Sequence, residues 1–359
     1  MLAKNIFIYE TESVKDALKK LDKIEQDKLL LVTGNGDRLL GTITDGDIRR
    51  YILRGKNLES DIKEVYNKNP IYLTKDSFSL AAAKKLLTEN KINAVPVLNV
   101  DGKVVDFITR SQAFSDTEMP KAVKAKIGVP VVIMAGGKGY RLDPFTRILP
   151  KPLIPIGDKP IIEIIIEEFK KYGVDEFYVT LNAKGEMVEA YFRNIEKDYK
   201  IHYIWEKKVF LGTAGSLKFL EHKIQDIFIV SNCDVIVKAN FEEVINYHKE
   251  QNAALTILAA IQHYKIPYGV VKFVDGGCVT DINEKPEYTF PVISGIYILS
   301  KQSLEFIPRE SPFDMTDLIR ILIKNNRKVV IYPVNENDYI DIGQWEEYKK
   351  TIDRLKAFS

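Results

Sequence analysis

A glycine-rich segment directly follows the apolar run 129–133. Gly136 and Gly137 carry no side chain, so we expect the chain to turn sharply there and to present its backbone N–H groups to an anion. Downstream, Arg141 and Lys151 add fixed positive charge. A strand that ends in such a loop predicts a phosphate site, and the two cations favour a triphosphate. The loop residues expected to bind the nucleotide are Met134, Ala135, Gly136 and Gly137.

Two common phosphate loops do not fit this segment. A Walker A loop requires G-x-x-x-x-G-K-[ST], and a dinucleotide fingerprint requires G-x-G-x-x-G. Here Lys138 comes two residues after Gly136, and Leu142 occupies the third glycine position of the fingerprint. The actual pattern, G-G-x-G-x-R-L followed by P-K-P-L at 150–153, resembles the signature of the sugar-1-phosphate nucleotidyltransferases.

The overall composition is that of an ordinary globular protein, with 359 residues, 45% hydrophobic and 28% charged. This length predicts two domains. The sequence has neither a signal peptide nor an apolar run of about 20 residues, so we expect a cytoplasmic protein without membrane contact. Its two cysteines, Cys233 and Cys278, give no disulfide framework. A net charge of +2 gives no reason to expect nucleic acid as a partner.

The first part of the chain contains an internal repeat, in which segment 8–44 can be laid over segment 71–109. Each copy reads as a short strand, an amphipathic helix and a pair of strands. Ser13 can cap the first helix, and Ser77 precedes the second helical pattern. The expected strand pairs are 29–32 with 39–43 and 94–98 with 104–108. This tandem resembles a pair of CBS domains, a module that usually binds nucleotides between its two copies.

The resemblance implies a tandem CBS (Bateman) domain at 1–118, with repeats at about 1–58 and 62–118, and a linker at 119–126. In that family, a Thr or Ser and the Asp three positions after it bind the ribose of the nucleotide. The first copy keeps Thr44 and Asp47, whereas Gln112 follows Thr109 in the second. We therefore expect at most one well-formed purine nucleotide site, with Thr44, Asp47 and Thr109 as its ligand residues. The alternative is that these residues only cap helices, and that the repeat is a scaffold for a homo-oligomer.

The second domain contains two aspartates that are candidates for metal binding. From Val131 onward, apolar runs alternate with helical patterns, which is typical of parallel strands flanked by helices. Ligands of such sheets bind beyond the carboxyl ends of the strands. Asp234 follows the run 227–230, and Asp341 lies in a later D-I-G segment. Either aspartate alone is more often a helix cap, but the family resemblance implies that both bind Mg²⁺, which prefers carboxylates with phosphate oxygens and water.

The segment 204–215 is similar to the family's base-binding segment, which ends in L-G-T-A-G and includes Gly212 and Thr213. Glu206 gives a clue to the base, because guanine presents two adjacent donors, N1–H and N2–H₂, that a carboxylate can accept together. Uracil and thymine alternate acceptor and donor, which suits an amide better. The alternative, an exposed glutamate in a charged stretch, leaves guanine favoured and the question open.

Two further segments, 267–270 and 283–286, resemble those that hold the sugar phosphate in this family. The resemblance implies that Glu284 accepts hydrogen bonds from sugar hydroxyls and that Lys285 binds the attacking phosphate. An isolated Glu-Lys pair is more often a solvated turn. Gly269 and Ser294 complete the expected acceptor site, although many family members have asparagine in place of Ser294.

The resemblance thus implies that 127–359 form an α/β domain, a Rossmann-like mixed sheet of the GT-A-like nucleotidyltransferase type. The expected catalytic residues are Arg141, Lys151, Asp234 and Lys285. Fusion to CBS repeats favours GTP and glucosamine-1-phosphate, as in the guanylyltransferases of bacterial legionaminic acid synthesis and, more loosely, those of mannose-1-phosphate. Uridylyl or thymidylyl transfer is the alternative within the family. The alternative from another class is a nucleotide-sensing regulatory subunit without turnover.

Overall fold

The computed structural model divides the chain into two compact units, residues 1–122 and 123–359. It describes residues 6–24, 28–90, 92–114, 126–137, 139–206, 210–343 and 348. Apart from Lys126 and Tyr348, the linker expected at 119–126 and the segment 344–359 lie outside these residues. No helix in the described ranges is long and apolar enough to cross a membrane.

The amino-terminal unit repeats one small α/β pattern twice. Its strands are β1 (Phe7–Tyr9), β2 (Leu29–Thr33), β3 (Leu39–Thr44), β4 (Leu73–Thr74), β5 (Ala94–Leu98) and β6 (Val104–Thr109). Its helices are α1 (Val14–Asp22), α2 (Asp45–Leu53), α3 (Leu80–Glu89) and α4 (Arg110–Ala113). In each copy the first strand pairs in parallel with the second, which pairs antiparallel with the third. The two sheets have the orders β1-β2-β3 and β4-β5-β6.

Helix capping explains where the helices of the repeat begin. Ser13 caps α1, as the sequence predicts, because its hydroxyl accepts from the Asp16 N–H at 3.0 Å. In the second copy the cap is Ser79, whose hydroxyl accepts from the Ala82 N–H at 3.1 Å. Ser77 instead bonds with Thr74 at the turn before the helix.

The carboxy-terminal unit contains thirteen further strands within the described residues. They are β7 (Val131–Met134), β8 (Pro155–Ile156), β9 (Lys159–Pro160), β10 (Glu176–Leu181), β11 (Lys200–Trp205), β12 (Ile227–Asn232), β13 (Val235–Val237), β14 (Leu255–Lys265), β15 (Val270–Phe273), β16 (Val279–Asn283), β17 (Glu287–Ser300), β18 (Val329–Asn335) and β19 (Tyr339–Asp341). The helices are α5 (Phe145–Ile148), α6 (Ile161–Lys170), α7 (Gly185–Arg193), α8 (Phe241–Glu250) and α9 (Met315–Lys324).

The main sheet is mixed, with the order β11-β10-β7-β12-β17-β14-β18. The first four strands in this order are parallel to one another, as the alternating pattern predicts. β17 then runs antiparallel between β12 and β14, so the second half departs from the parallel arrangement. Before β12, the chain forms a short 3₁₀ turn at Gly215–Leu220 in place of an α-helix.

Two apolar layers cover the sheet, one on each face. Along the central strand β7, Val131 and Ile133 pack into one cluster, whereas Val132 and Met134 pack into the other. A strand buried on both faces reads as a continuous apolar run rather than an alternating one. α6 covers the first face and α9 the second. The carboxyl ends of β7, β10, β11 and β12 are thereby held at one edge of the sheet.

Candidate active site

A cavity of about 280 Å³ opens at the carboxyl ends of the parallel strands. It contains most of the residues that the sequence assigns to the triphosphate and the metal. The predicted residues in its lining are Met134, Gly136, Gly137, Arg141, Lys151, Glu206, Gly212, Thr213 and Asp234. Among the described residues, Ala135, Asp341, Gly269, Glu284, Lys285 and Ser294 lie outside this lining.

The glycine loop turns at a different place from the one expected. The left-handed conformation is at Gly139, with φ +69°, and neither Gly136 nor Gly137 adopts it. Gly136 is required for space, because a Cβ there would lie 2.8 Å from Oε1 of Glu206. The Ala135 N–H donates to Thr180, to its hydroxyl at 3.1 Å and to its carbonyl at 3.2 Å, so it anchors the loop to β10 instead of facing the cavity.

Glu206 is buried, with only 6% of its surface exposed, and not part of an exposed charged face. Its Oε2 accepts from the side-chain amide of Asn182 at 2.7 Å and from the Leu211 N–H at 3.1 Å. Its Oε1 is buried and has no hydrogen-bond partner among the residues that the structure describes. An unpaired buried acceptor costs about 1–3 kcal/mol of stability, and a hydrogen bond from a ligand donor to this oxygen would remove that cost.

Asp234 and Asp341 converge although they are 107 positions apart in the sequence. β13 and β19 pair antiparallel with Val235 opposite Asp341, and the Ile342 N–H donates to the Asp234 carbonyl at 2.9 Å. The Lys151 ammonium forms a buried ion pair with Asp234.

Gly343 supplies the room that these charges need. A Cβ there would lie 2.9 Å from Oδ1 of Asp341 and 3.3 Å from Nζ of Lys151, and would overlap Oδ2 of Asp234. The Gly343 N–H also donates to Oδ1 of Asp341 at 2.7 Å.

Burial raises the pKa of the Asp341 carboxyl above its usual range, and the nearby charge of Asp234 adds to this rise. The two carboxylates therefore repel each other, and a dication would relieve that repulsion. No group of three or more His, Cys, Asp or Glu side chains gathers as a metal cluster in the described part of the chain. Two carboxylates fit an ion that takes its other ligands from phosphate and water.

Cys233 also lines the cavity. Burial raises the pKa of the Cys233 thiol to about 12, so the thiol is uncharged at physiological pH and does not act as a nucleophile.

Three of the four expected acceptor residues, Gly269, Glu284 and Lys285, are exposed and flank the hairpin β15–β16, whereas Ser294 lies on β17. Gly269 and Glu284 face each other, since a Cβ on Gly269 would lie 2.9 Å from Oε2 of Glu284. Lys285 has a φ of +47° and is exposed. Ser294 is buried, and its hydroxyl accepts from the Ile296 N–H at 3.2 Å.

In the amino-terminal unit, the expected ligand residues form helix caps. Thr44 caps α2, and Oδ2 of Asp47 accepts from the Thr44 hydroxyl at 2.6 Å and from its N–H at 2.8 Å. Oδ1 of Asp47 pairs with the exposed Arg50. Thr109 caps α4 in the same way, with Gln112 accepting from its N–H at 3.0 Å.

Comparison with known proteins follows the same division into two parts. The family profile described as nucleotidyl transferase matches residues 130–357. The chain belongs to the nucleotidyl transferase family. The profile described as CBS domain matches 1–54 and 62–115, so this nucleotidyl transferase carries a CBS tandem at its amino terminus.

Relatives of this nucleotidyl transferase differ in the base that their names specify. A UTP–glucose-1-phosphate uridylyltransferase from Synechocystis is 30% identical over 62% of this chain and 62% of its own length. A probable mannose-1-phosphate guanylyltransferase from Oryza sativa is 31% identical over 60% of this chain and 62% of its own. The crystal structure of HddC from Yersinia pseudotuberculosis matches with a TM-score of 0.50 and 27% identity, over 63% of this chain and 99% of that one. The chain thus spans about six-tenths of the length of these two curated relatives.

Three residues of the carboxy-terminal unit contribute to the site although the sequence analysis did not assign them. Asn182 orients Glu206, Gly343 makes room for the carboxylates of Asp234 and Asp341, and Asp314 contacts the L-G-T-A-G segment. Only Gly343 belongs to a motif, because it ends the D-I-G segment. Position at the carboxyl end of β10 was the only available indication for Asn182.

Proposed function

We propose that the protein is a sugar-1-phosphate guanylyltransferase. It would join GTP to a hexose- or hexosamine-1-phosphate, with glucosamine-1-phosphate favoured, and release pyrophosphate. The observation that carries this proposal is the free, buried Oε1 of Glu206 beside the glycine loop. The buried Lys151–Asp234 pair and the neighbouring Asp341 support turnover over a purely sensing role.

Glu206 favours guanine because of the way its carboxylate is held. Asn182 and the Leu211 N–H occupy Oε2, so the base would meet Oε1 alone. That oxygen keeps its acceptor capacity, which suits the adjacent N1–H and N2–H₂ donors of guanine. The sequence suggested that both carboxylate oxygens would face the base, and the contacts of Oε2 now limit this to one.

The reaction consists of attack by a sugar phosphate oxygen on the α-phosphorus, in line with the departing pyrophosphate. The nucleophile is ionised at neutral pH, so positioning and charge neutralisation supply the catalysis. Arg141 would stabilise the leaving pyrophosphate and Lys151 the α-phosphoryl charge. Mg²⁺ held by Asp234 and Asp341 would neutralise the phosphate oxygens that come together.

On the acceptor side, we assign Lys285 to the attacking phosphate and Glu284 to the sugar hydroxyls. The closeness of Gly269 to Glu284 supports a common acceptor segment, since a Cβ on Gly269 would lie 2.9 Å from Oε2 of Glu284. Ser294 lies on β17, which pairs with β12 immediately before Asp234. Because the Ser294 hydroxyl is buried and already accepts from the Ile296 N–H, we assign Ser294 to the wall that supports the acceptor site and not to direct contact with the sugar.

Glu206→Gln is expected to weaken the preference for GTP over UTP. Asn182 and the Leu211 N–H both donate, so the glutamine carbonyl would take the place of Oε2. Its amide N–H₂ would then stand where Oε1 stands now and face the donors of guanine. The ratio of kcat/KM for GTP to that for UTP should fall by about 5- to 150-fold. Pyrophosphate release with each triphosphate measures this ratio.

Glu176→Gln is the matched control, because Glu176 begins β10 and bonds to His202 on the neighbouring strand. It should leave the ratio unchanged. A Glu206→Gln enzyme with the wild-type ratio would remove Glu206 from base recognition.

We also propose that the CBS tandem binds one purine nucleotide, chiefly through Thr44 and Asp47 with Thr109, and that it holds a homo-oligomer together. The Arg50–Asp47 pair is exposed on the arginine side, and such surface pairs contribute only about 0–1 kcal/mol, so a ribose could displace Arg50.

In the full-length protein, Asp47→Ala should weaken AMP or ATP binding measured by calorimetry, whereas Gln112→Ala should not. If both variants and the wild type bind the nucleotide equally, the alternative that the repeat is only a scaffold for a homo-oligomer would be favoured. A ligand that binds there alters turnover only if it distinguishes two conformations of the protein.

A further inference from the structure

The L-G-T-A-G segment is fastened to the start of α9, about 100 residues further along the chain. Oδ1 of Asp314 accepts from the Thr213 N–H at 2.9 Å and from the Thr213 hydroxyl at 3.1 Å. The same hydroxyl accepts from the Met315 N–H at 2.9 Å, so Thr213 satisfies the first N–H of α9. The Thr213 hydroxyl is thus committed to α9, although the residue lines the cavity.

Backbone contacts reinforce this connection. The Phe313 carbonyl accepts from the N–H groups of Ala214 at 3.0 Å and Gly215 at 2.9 Å, and the Phe313 N–H donates to Leu211 at 3.0 Å. Gly212 has a φ of +77°, and a Cβ there would lie 2.6 Å from the Phe313 carbonyl and 2.7 Å from Oδ1 of Asp314. The loop therefore fits against 313–314 in one conformation.

We infer that Asp314 is a positioning residue for the nucleotide, which acts by holding the Gly212–Thr213 backbone at the cavity. Asp314 itself is not among the lining residues of the cavity. Its effect passes through Thr213 and through Leu211, whose N–H also orients Glu206. This inference rests on the proposed function, because it assumes that a triphosphate binds against this loop.

The positioning role predicts a larger effect on nucleotide binding than on folding stability. Asp314 and Thr213 are both exposed, so loss of their hydrogen bonds leaves no buried unpaired group. Asp314 is also the N-cap of α9, in a capping box with Asp317, and loss of this cap costs about 0.5–2 kcal/mol. The loop becomes freer to move, and a small misplacement at a substrate site is costly. The triphosphate KM should therefore rise while the sugar phosphate KM stays close to the wild type, and the unfolding temperature should fall no further than in Asp317→Ala, which breaks the same capping box.

The test compares Asp314→Ala, Asp314→Asn and Asp317→Ala. Asparagine keeps an acceptor oxygen for both Thr213 donors, so Asp314→Asn should restore most of the lost function. Asp317→Ala is the control, because Asp317 lies in the first turn of the same helix, where it accepts from the Asp314 N–H and pairs with Arg320, but does not contact Thr213. Each variant is assayed with whichever of GTP, UTP and dTTP the wild type uses best.

We expect Asp314→Ala to raise the triphosphate KM by about 10-fold, and Asp317→Ala to leave it near the wild-type value. A triphosphate KM that stays unchanged in Asp314→Ala, or that rises equally in Asp317→Ala, would overturn the positioning role while leaving the proposed function intact. A wild type that turns over none of the three triphosphates would contradict the proposed function and this inference with it.

Discussion

Asp234→Asn is expected to lower kcat by about 10²- to 10³-fold, because it removes a charged ligand from the proposed metal and so several kcal/mol of charge stabilisation. It should also destabilise the metal-free protein. The side chains of Lys151 and Asp234 are 10% and 8% exposed, and breaking such a buried pair costs about 3–5 kcal/mol. Pyrophosphate release and thermal unfolding in the presence of EDTA measure the two effects separately.

Asp341→Asn is the matched variant, with a similar loss of kcat but no loss of stability. The pKa of Asp341 is raised in the folded protein, chiefly by burial, so its contribution to stability is present at low pH and is lost as pH rises through that pKa. At neutral pH the ionised carboxylate therefore lowers the stability of the metal-free fold, and a neutral asparagine removes this cost. Near wild-type kcat in both variants at saturating Mg²⁺ would contradict the two-aspartate site.

Gly343→Ala is expected to reduce kcat by about 100-fold through steric crowding alone. Gly343 is not in the left-handed region, so alanine causes no backbone strain there. Its methyl group would instead overlap Oδ2 of Asp234 and crowd Asp341 and Lys151, which would have to move apart. The separated carboxylates should also require a higher Mg²⁺ concentration for half-maximal rate.

Gly34→Ala is a control for the general effect of a glycine-to-alanine change, since Gly34 is also outside the left-handed region and its Cβ would meet only the side chain of Leu40, at 3.3 Å. It should retain wild-type kcat and Mg²⁺ dependence. Wild-type Mg²⁺ dependence in Gly343→Ala would show that the ion is not held between Asp234 and Asp341.

The sequence predicted the parts of the site that depend on local pattern. The apolar run before the glycine loop and the run before Asp234 both identified parallel strands, and the rule for their carboxyl ends brought Met134 and Asp234 into one cavity. The repeat of the first unit was visible because each copy keeps its own strand and helix periods.

What the sequence did not predict depends on contacts between distant segments. The insertion of β17 antiparallel beside β12 follows from a long-range pairing that no local period encodes. In the same way, nothing near Glu206 indicates that Asn182 and Leu211 occupy one of its oxygens and leave the other free. The sequence predicted a turn at Gly136. In the structure this glycine instead leaves space for Oε1 of Glu206, a residue that lies on another segment of the chain.

Guanylyl transfer is tested most directly by wild-type pyrophosphate release over a matrix of GTP, UTP, dTTP and ATP with glucosamine-, mannose- and glucose-1-phosphate. We predict the highest kcat/KM for GTP, with glucosamine-1-phosphate as the preferred acceptor, because Oε1 of Glu206 offers guanine an unpaired buried acceptor. The highest kcat/KM for UTP or dTTP would contradict the assignment of Glu206 and of the guanylyl activity.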